Sequence, residues 1–323
     1  MQFDQILGNE KIKSYLKRSL EENSLNNTLL FLGPEGIGKG LFAKALAKDL
    51  LEVDEKRIDQ ETHPDYTAIY PDPNSGLHSI EKIRFLIEEV YKPPFEAKGK
   101  VFVIHDAQNM LASSANALLK TLEEPTPDTT IVLLASSKEA LLPTIVSRCK
   151  VFAFDALLEK DIKEYLTTNL SIEEQKASLF AKRAEGSLGN GITFATDESF
   201  AKKEKLLIEI LKTPGFLLEN AEKIQSLLDE EKKEQTFSKT HVDLLLKMIY
   251  MWLRDLHSVG FSASLFYPEY KEILLAQSVK KANFETVKKA LFNFQDAVER
   301  NIRFSSCLMQ FFLEIRHLKL QKV

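Results

Sequence analysis

A glycine-rich segment near the N-terminus has the residue types of a phosphate-binding loop. Its residues follow the pattern G-x-x-x-x-G-K-[ST] up to the last position, where Gly40 replaces the hydroxyl residue. The matching residues are Gly33, Gly36, Gly38 and Lys39. In such a loop, backbone N–H groups and a helix N-terminus bind phosphate oxygens, the lysine reaches the β- and γ-phosphates, and the hydroxyl ligates Mg²⁺. The segment therefore predicts a nucleotide-binding fold that lacks one metal ligand.

The segment VFVIHDAQ at residues 101–108 fits the strand that carries the metal-binding aspartate of such sites. In the register that we favour, His105 takes the place of that aspartate, and Asp106 takes the place of the glutamate that polarises water. Mg²⁺ prefers oxygen ligands, which an imidazole does not provide. We interpret His105 as a hydrogen-bonded histidine without a metal role. A register slipped by one residue, with Asp106 as the metal residue, is the alternative, but it would turn that side chain to the other face of the strand.

Short apolar segments alternate with amphipathic segments through the first half of the chain. The predicted strands are Thr28–Leu32, Thr67–Tyr70, Val101–His105, Thr130–Ala135 and Val151–Phe154, and the predicted helices are Lys39–Leu51, Ser79–Tyr91 and Ser113–Glu124. Apolar strands separated by helices are typical of a parallel sheet that is covered on both faces. The pattern predicts an α/β fold with a parallel five-stranded sheet and a ligand at the carboxyl ends of its strands.

The chain after Phe154 has the period of helices. Three short helices are predicted at Ala156–Leu170, Ser171–Glu185 and Ser187–Thr196. Further breaks are expected at Pro214–Gly215, in the charge run Asp229–Glu234 and between Gly260 and Pro268. Apolar residues spaced by three or four positions from Phe284 to Ile315 predict one helical face over about 30 residues.

Composition limits the classes of function. The chain has 323 residues, 44% of them hydrophobic, and a net charge of -4; this balance disfavours a nucleic-acid binder that acts alone. Two cysteines, Cys149 and Cys307, are too few for a disulfide framework and indicate a reducing compartment. The N-terminus has no pattern of a signal peptide, and no apolar run approaches the ~20 residues of a membrane helix. We expect a cytoplasmic protein without a membrane partner.

Several segments together resemble the clamp-loader branch of the AAA+ proteins. They include LLFLGPEGIGKG, KGKVFVIHDAQNM, GSLGNGITFA and the longest, SSANALLKTLEEPTPDTTIVLLASSKEALLPTIVSRC. The resemblance is strong over residues 1–195, and ERNIRFSSCLMQFFLEI is similar to the last collar helix of the family. It implies an AAA+ P-loop domain at 1–154, a three-helix lid at 155–197 and a helical collar for oligomerisation at 198–323.

The resemblance also assigns roles to single residues. Ser147, Arg148 and Cys149 form the SRC motif of the family, in which the arginine is a finger that reaches the ATP of a neighbouring subunit. Ser137 falls at the sensor-1 position, which we interpret as vestigial, and Gly189 stands where the family has its sensor-2 arginine.

Within the family, the ATPase subunit gamma/tau differs from delta-prime, a structural subunit that commonly lacks a working ATP site. The losses at Gly40, His105 and Gly189 favour the delta-prime type, which would need no cofactor and would not hydrolyse ATP itself. It would join delta and gamma/tau in a hetero-pentamer of DNA polymerase III that loads the sliding clamp on primer–template DNA.

Two alternatives to a subunit without ATPase activity remain open. An active gamma/tau-like ATPase could use Asp106 and a water molecule, and a static scaffold could keep Lys39 in order to hold ATP or ADP without turnover.

Residues 51–66 contain no cysteine, and His63 alone cannot complete a four-ligand site. We therefore expect neither the zinc module of the family nor any other metal.

Overall fold

The computed structural model describes residues 2–72, 75–212, 222–226, 229, 239–261, 264–277, 284–299 and 302–320. The chain forms two compact units, residues 1–191 and 192–323. The first unit includes most of the segment for which a separate lid is expected, and the division at 154 and 197 stays a prediction. Within the described residues, no helix is long and apolar enough to cross a membrane.

The first unit is built on a five-stranded sheet whose paired strands are all parallel. The strands are β1 (Thr28–Leu32), β2 (Tyr66–Ile69), β3 (Lys100–Ile104), β4 (Thr129–Ala135) and β5 (Lys150–Ala153). Their order across the sheet is β2-β3-β4-β1-β5. The predicted fold class is confirmed, and each strand lies within one residue of its predicted position.

Two apolar layers cover the two faces of this sheet. Alternate residues of β1 point to opposite faces, so Leu29 and Phe31 join one core cluster while Leu30 and Leu32 join the other. The helices that cover the sheet are α1 (Glu10–Glu21), α2 (Lys39–Leu51), α3 (Glu55–Asp59), α4 (Ile80–Val90), α5 (Ala112–Glu123) and the one-turn α6 (Pro143–Val146). Burial on both faces explains why the central strands are apolar throughout.

Three further helices follow the sheet, as the sequence predicts. They are α7 (Glu159–Leu170), α8 (Glu174–Ala184) and α9 (Leu188–Thr196). Helix α7 packs against α8 through the buried residues Ile162, Leu166, Ala177 and Ala181.

The described parts of the second unit are helical. They contain α10 (Glu198–Lys212), α11 (Lys239–Ser258), α12 (Lys271–Gln277), α13 (Phe284–Glu299) and α14 (Phe304–Leu320). Residues 222–226 are also helical. The predicted break at Pro214–Gly215, and the charge run after Asp229, lie outside the described residues.

The prediction of one continuous helical face from Phe284 to Ile315 is wrong. Helix α13 ends at Glu299 and α14 begins at Phe304, and Ile302 between them is 51% exposed. The ring of Phe294 lies 5.5 Å from the rings of both Phe304 and Phe311. The apolar residues of α13 pack against those of α14. The break between the two helices is short, so the spacing of apolar residues along the sequence resembles that of a single helix.

A carboxylate fixes the chain just before β2. The Asp65 side chain accepts hydrogen bonds from the backbone N–H groups of Phe95, Glu96 and Ala97 at 2.6, 2.9 and 2.9 Å. His63 Nδ1 accepts a bond from the Asp65 N–H at 3.1 Å. Asp65 thereby joins the approach to β2 to the approach to β3.

Candidate functional site

The glycine-rich loop connects β1 to α2 at the carboxyl edge of the sheet. Gly33, Gly36 and Gly38 have φ angles of 149°, 72° and 100°, which L-residues with a side chain rarely adopt. Gly38 caps α2, and Lys39 is the first residue of that helix. The backbone therefore keeps the curvature that a phosphate-binding loop needs.

The lysine of the loop is bound to the loop itself. Lys39 Nζ donates hydrogen bonds to the carbonyl oxygens of Gly33 at 2.5 Å and Pro34 at 2.7 Å, and the residue is 9% exposed. Burial lowers the pKa of Lys39, although the charges of Glu35 and Asp106 oppose this shift. Its ammonium group is thus paired with the backbone of the loop.

The position of the missing hydroxyl lies against His105. A Cβ atom added to Gly40 would lie 3.3 Å from His105 Cε1, which is tighter than most Cβ contacts in proteins. The His105 side chain, which follows β3, is therefore the group of that strand that faces the start of α2. This contact agrees with the register that places His105 in the position of the metal-binding aspartate.

The imidazole of His105 is held by stacking. Its ring lies 4.2 Å from the ring of Tyr70 at an interplanar angle of 23°, and the Tyr70 hydroxyl donates to Glu61 Oε1 at 2.6 Å. Burial lowers the pKa of His105, which favours the neutral ring. His105 Nε2 is buried and has no hydrogen-bond partner among the described residues, so the expected hydrogen bond of the imidazole is not seen at this nitrogen.

The start of α9 lies directly on the loop. The Gly189 N–H donates a hydrogen bond to the Gly36 carbonyl at 2.9 Å. A Cβ atom at Gly189 would lie 3.1 Å from Gly36 Cα, and one at Gly36 would lie 2.2 Å from Ser187 Oγ. The two backbones approach closely because both positions are glycine, and the Cβ of any other residue at position 189 would push the Gly36 backbone by a few tenths of an ångström.

Two further predicted residues follow neighbouring strands at the same edge. Ser137 follows β4 and is half-buried, and Asp106, with a φ of 47°, is close enough to Lys39 to influence its pKa. The sheet thus brings the loop, Asp106 and Ser137 together, because β3, β4 and β1 are neighbours. Among the residues that the structure describes, no cluster of His, Cys, Asp and Glu has the arrangement of a metal site.

Arg148 lies at the amino ends of the strands, opposite the glycine-rich loop at their carboxyl ends. It follows α6 and precedes β5, whose Lys150 pairs with Leu29, so about 13 Å of strand separate that end from Gly33. Arg148 Nε and one terminal nitrogen both lie 3.1 Å from Glu123 Oε2, and the other terminal nitrogen donates to the Thr144 carbonyl at 3.0 Å. Arg148 therefore lies at the end of the sheet that is remote from the phosphate-type loop of its own chain.

The other two residues of the SRC motif have local structural contacts. Ser147 caps α6, and its hydroxyl donates to the Thr144 carbonyl at 3.1 Å. Cys149 packs against the core layer that contains α4 and α5, and burial raises the pKa of its thiol to about 12. This thiol is thus unsuited to nucleophilic chemistry near neutral pH.

Glu123 and Tyr70 contact residues of the site, but no motif of the sequence singles them out. Glu123 lies inside the quoted segment that ends at Cys149, yet only the packing of α5 beside α6 brings it to Arg148. Tyr70 was predicted as a strand residue, and no local pattern signals that its ring stacks on His105.

The chain is similar to known subunits of DNA polymerase III. The family model described as "DNA polymerase III, delta subunit" matches residues 8–157. The chain is 29% identical to DNA polymerase III subunit delta' of Bacillus subtilis, over 88% of this chain and 86% of that protein. It is 28% identical to DNA polymerase III subunit gamma/tau of Mycoplasma genitalium, over 94% of this chain but only 54% of that protein.

A solved structure has the same fold. A DNA polymerase III gamma subunit-related protein from Thermotoga maritima superposes with a TM-score of 0.52 at 20% sequence identity, over 95% of this chain and 99% of that one. The similarities include both delta-prime and gamma/tau proteins. The chain is thus similar over most of its length to clamp-loader subunits of DNA polymerase III.

Proposed function

We propose that this chain is the delta-prime-type subunit of its clamp loader, which does not hydrolyse ATP and supplies Arg148 to the ATP site of a neighbouring subunit. The observation that carries the proposal is a contrast between the carboxyl ends and the amino ends of the strands in one sheet. The loop at the carboxyl ends of the strands is bonded to groups of its own chain, whereas Arg148 is retained at their amino ends.

Three contacts support the loss of productive nucleotide binding. Lys39 donates to the carbonyls of its own loop, His105 lies where a side chain at position 40 would extend, and α9 is bonded to the loop through Gly36 and Gly189. A nucleotide would have to break the Lys39 contacts and find its metal without the hydroxyl and the carboxylate of the usual site. These residues fit bound Mg²⁺-ATP poorly.

The placement of Arg148 supports a role in trans. A residue that precedes β5 lies at the opposite edge from the loop after β1, because the strands are parallel. A guanidinium group can stabilise the charge that develops on a γ-phosphoryl group, and an arginine finger is worth about 10³–10⁵ in turnover in other nucleotide hydrolases. The phosphate that Arg148 serves would belong to another subunit.

The partners in this proposal are other clamp-loader subunits. We infer that the chain assembles with delta and gamma/tau in a hetero-pentamer, with the helices after residue 197 as its collar. The complex would open the sliding clamp and place it on primed DNA. Support comes from the similarity to delta-prime and gamma/tau proteins over most of this chain.

The test is substitution of Arg148 in a complex reconstituted from all subunits. Arg148→Ala should remove most of the DNA- and clamp-stimulated ATP turnover at the site beside this chain, and clamp loading should slow with it. Arg18→Ala is the matched control, because Arg18 is an exposed arginine on α1 whose carboxylate partner is Glu22. An unchanged ATPase rate for Arg148→Ala in a fully assembled complex would exclude the trans role.

The rival is a chain that binds nucleotide itself. The positive φ angles of the loop glycines and the proximity of Asp106 to Lys39 favour it. The purified chain is assayed with Mg²⁺-ATP, and binding of a fluorescent nucleotide is measured at equilibrium. Turnover that Lys39→Ala abolishes would establish an ATPase, whereas binding without turnover would establish a static scaffold. We expect neither.

A further inference from the structure

We propose that Glu123 is a positioning residue for Arg148, which holds the guanidinium in the orientation in which it meets the phosphate of the neighbouring subunit. This inference rests on the proposed trans role of Arg148. It assigns a function to a residue of α5 that does not itself reach the nucleotide.

The contact between the two side chains is specific in geometry. Nε and one terminal nitrogen of Arg148 both lie 3.1 Å from Glu123 Oε2, and the remaining terminal nitrogen bonds to the Thr144 carbonyl at 3.0 Å. The guanidinium is thus held from two sides, by α5 and by α6. Charge-assisted bonds of this kind fix the plane of an arginine better than one contact does.

The held arginine keeps part of its donor capacity. A guanidinium carries five N–H donors, and the contacts with described residues use three of them. One N–H on each terminal nitrogen is left for another acceptor. A guanidinium N–H pairs well with a phosphate oxygen. Glu123 and Thr144 therefore orient the arginine and still leave N–H donors for a phosphate of another subunit.

The location of Glu123 argues against a role in stabilising the fold. Its side chain is 59% exposed, compared with 30% for Arg148, and an exposed ion pair contributes little to stability. Glu123 is also the last residue of α5, where the partial negative charge of the helix end disfavours a carboxylate. Neither burial nor helix stability accounts for an acidic residue here, whereas the contact with Arg148 does.

The test uses the complete reconstituted complex and a neighbouring glutamate as a control. Glu123→Gln keeps the size of the side chain and removes its charge. Glu124→Gln makes the same change at the next position, which is exposed and has no described contact with Arg148. We expect Glu123→Gln to lower the maximal DNA-stimulated ATP turnover and the clamp-loading rate about two- to fivefold, with the KM for ATP and the assembly of the complex unchanged. Glu124→Gln should match the unmodified protein.

The decisive measurement is the same substitution in an Arg148→Ala background. If Glu123 acts through Arg148, Glu123→Gln causes no further loss there, whereas a purely structural role would lower turnover in both backgrounds. A normal rate for Glu123→Gln beside a strongly reduced rate for Arg148→Ala would overturn this inference and leave the proposed function intact. A faster rate for Glu123→Gln would also overturn it, because Glu123 would then restrain the arginine. If Arg148→Ala itself has no effect, the proposed function fails, and this inference fails with it.

Discussion

Gly40 lies beside His105, so that a Cβ atom at position 40 would lie 3.3 Å from Cε1 of the histidine. The two positions depart from the phosphate-binding pattern in different segments of the sequence, yet they meet at the start of α2. The imidazole therefore crowds the space into which a side chain at position 40 would extend. The two departures therefore form one structural change.

This contact predicts that the effects of substitutions at the two positions are not additive. Gly40→Ala should stabilise α2 by up to about 1 kcal/mol in an unhindered helix, but crowding by His105 offsets the gain. In a His105→Ala background the crowding is absent, and the full gain should be seen. Urea unfolding of the four proteins should give a coupling free energy of about 0.5 kcal/mol or more.

The control for this cycle combines His105→Ala with Gly260→Ala. An added Cβ at Gly260 meets no described atom within 4 Å, so these two changes should be additive. If the changes in the free energy of unfolding for Gly40→Ala and His105→Ala add to within about 0.3 kcal/mol, crowding by His105 does not affect stability.

The contact between Gly36 and Gly189 predicts that the arginine of the family cannot simply be restored. Gly189→Arg would place its Cβ 3.1 Å from Gly36 Cα and press on the backbone that donates to the Gly36 carbonyl. We expect a loss of about 1–3 kcal/mol in the free energy of unfolding and no ATP turnover by the purified chain. Gly260→Arg serves as the control for the bulk and charge of the new side chain. A stable Gly189→Arg protein with tighter nucleotide binding would contradict the closed arrangement.

Asp65 predicts a loss of stability in acid. Burial by itself raises the pKa of Asp65, but the three backbone hydrogen bonds outweigh it and bring the pKa below its ordinary value. Its contribution is therefore complete above the ordinary carboxyl pKa and is lost as the pH falls through the lower folded-state pKa. Asp65→Asn should reduce the free energy of unfolding by about 2 kcal/mol at neutral pH, and the difference should shrink below about pH 4.

Urea unfolding of Asp65→Asn and the unmodified protein across this pH range measures the effect. Asp128→Asn is the control, since Asp128 is exposed. A stability difference that stays constant from neutral pH to acid would show that ionisation of Asp65 does not contribute.

The sheet and the loop could be predicted because their signals are local. Apolar runs that alternate with helical periods indicate a parallel sheet, and the glycines before Lys39 indicate the turn that follows β1. The placement of His105 towards the loop also follows from alternation along β3. The helical hairpin at the C-terminus could not be predicted in this way, because the apolar period continues through the break between Glu299 and Phe304.

The sequence by itself determined the fold class, the strand–loop–helix context of Lys39 and the departures at Gly40 and His105, and its resemblance to clamp loaders added the departure at Gly189. Only the tertiary structure decided that Gly40 lies against His105, that Gly189 lies on Gly36, and that Glu123 holds Arg148. The physical reason is the range of each interaction. Periodicity and turn geometry act between neighbours in the chain, whereas these three contacts join distant segments that meet only when the helices pack on the sheet.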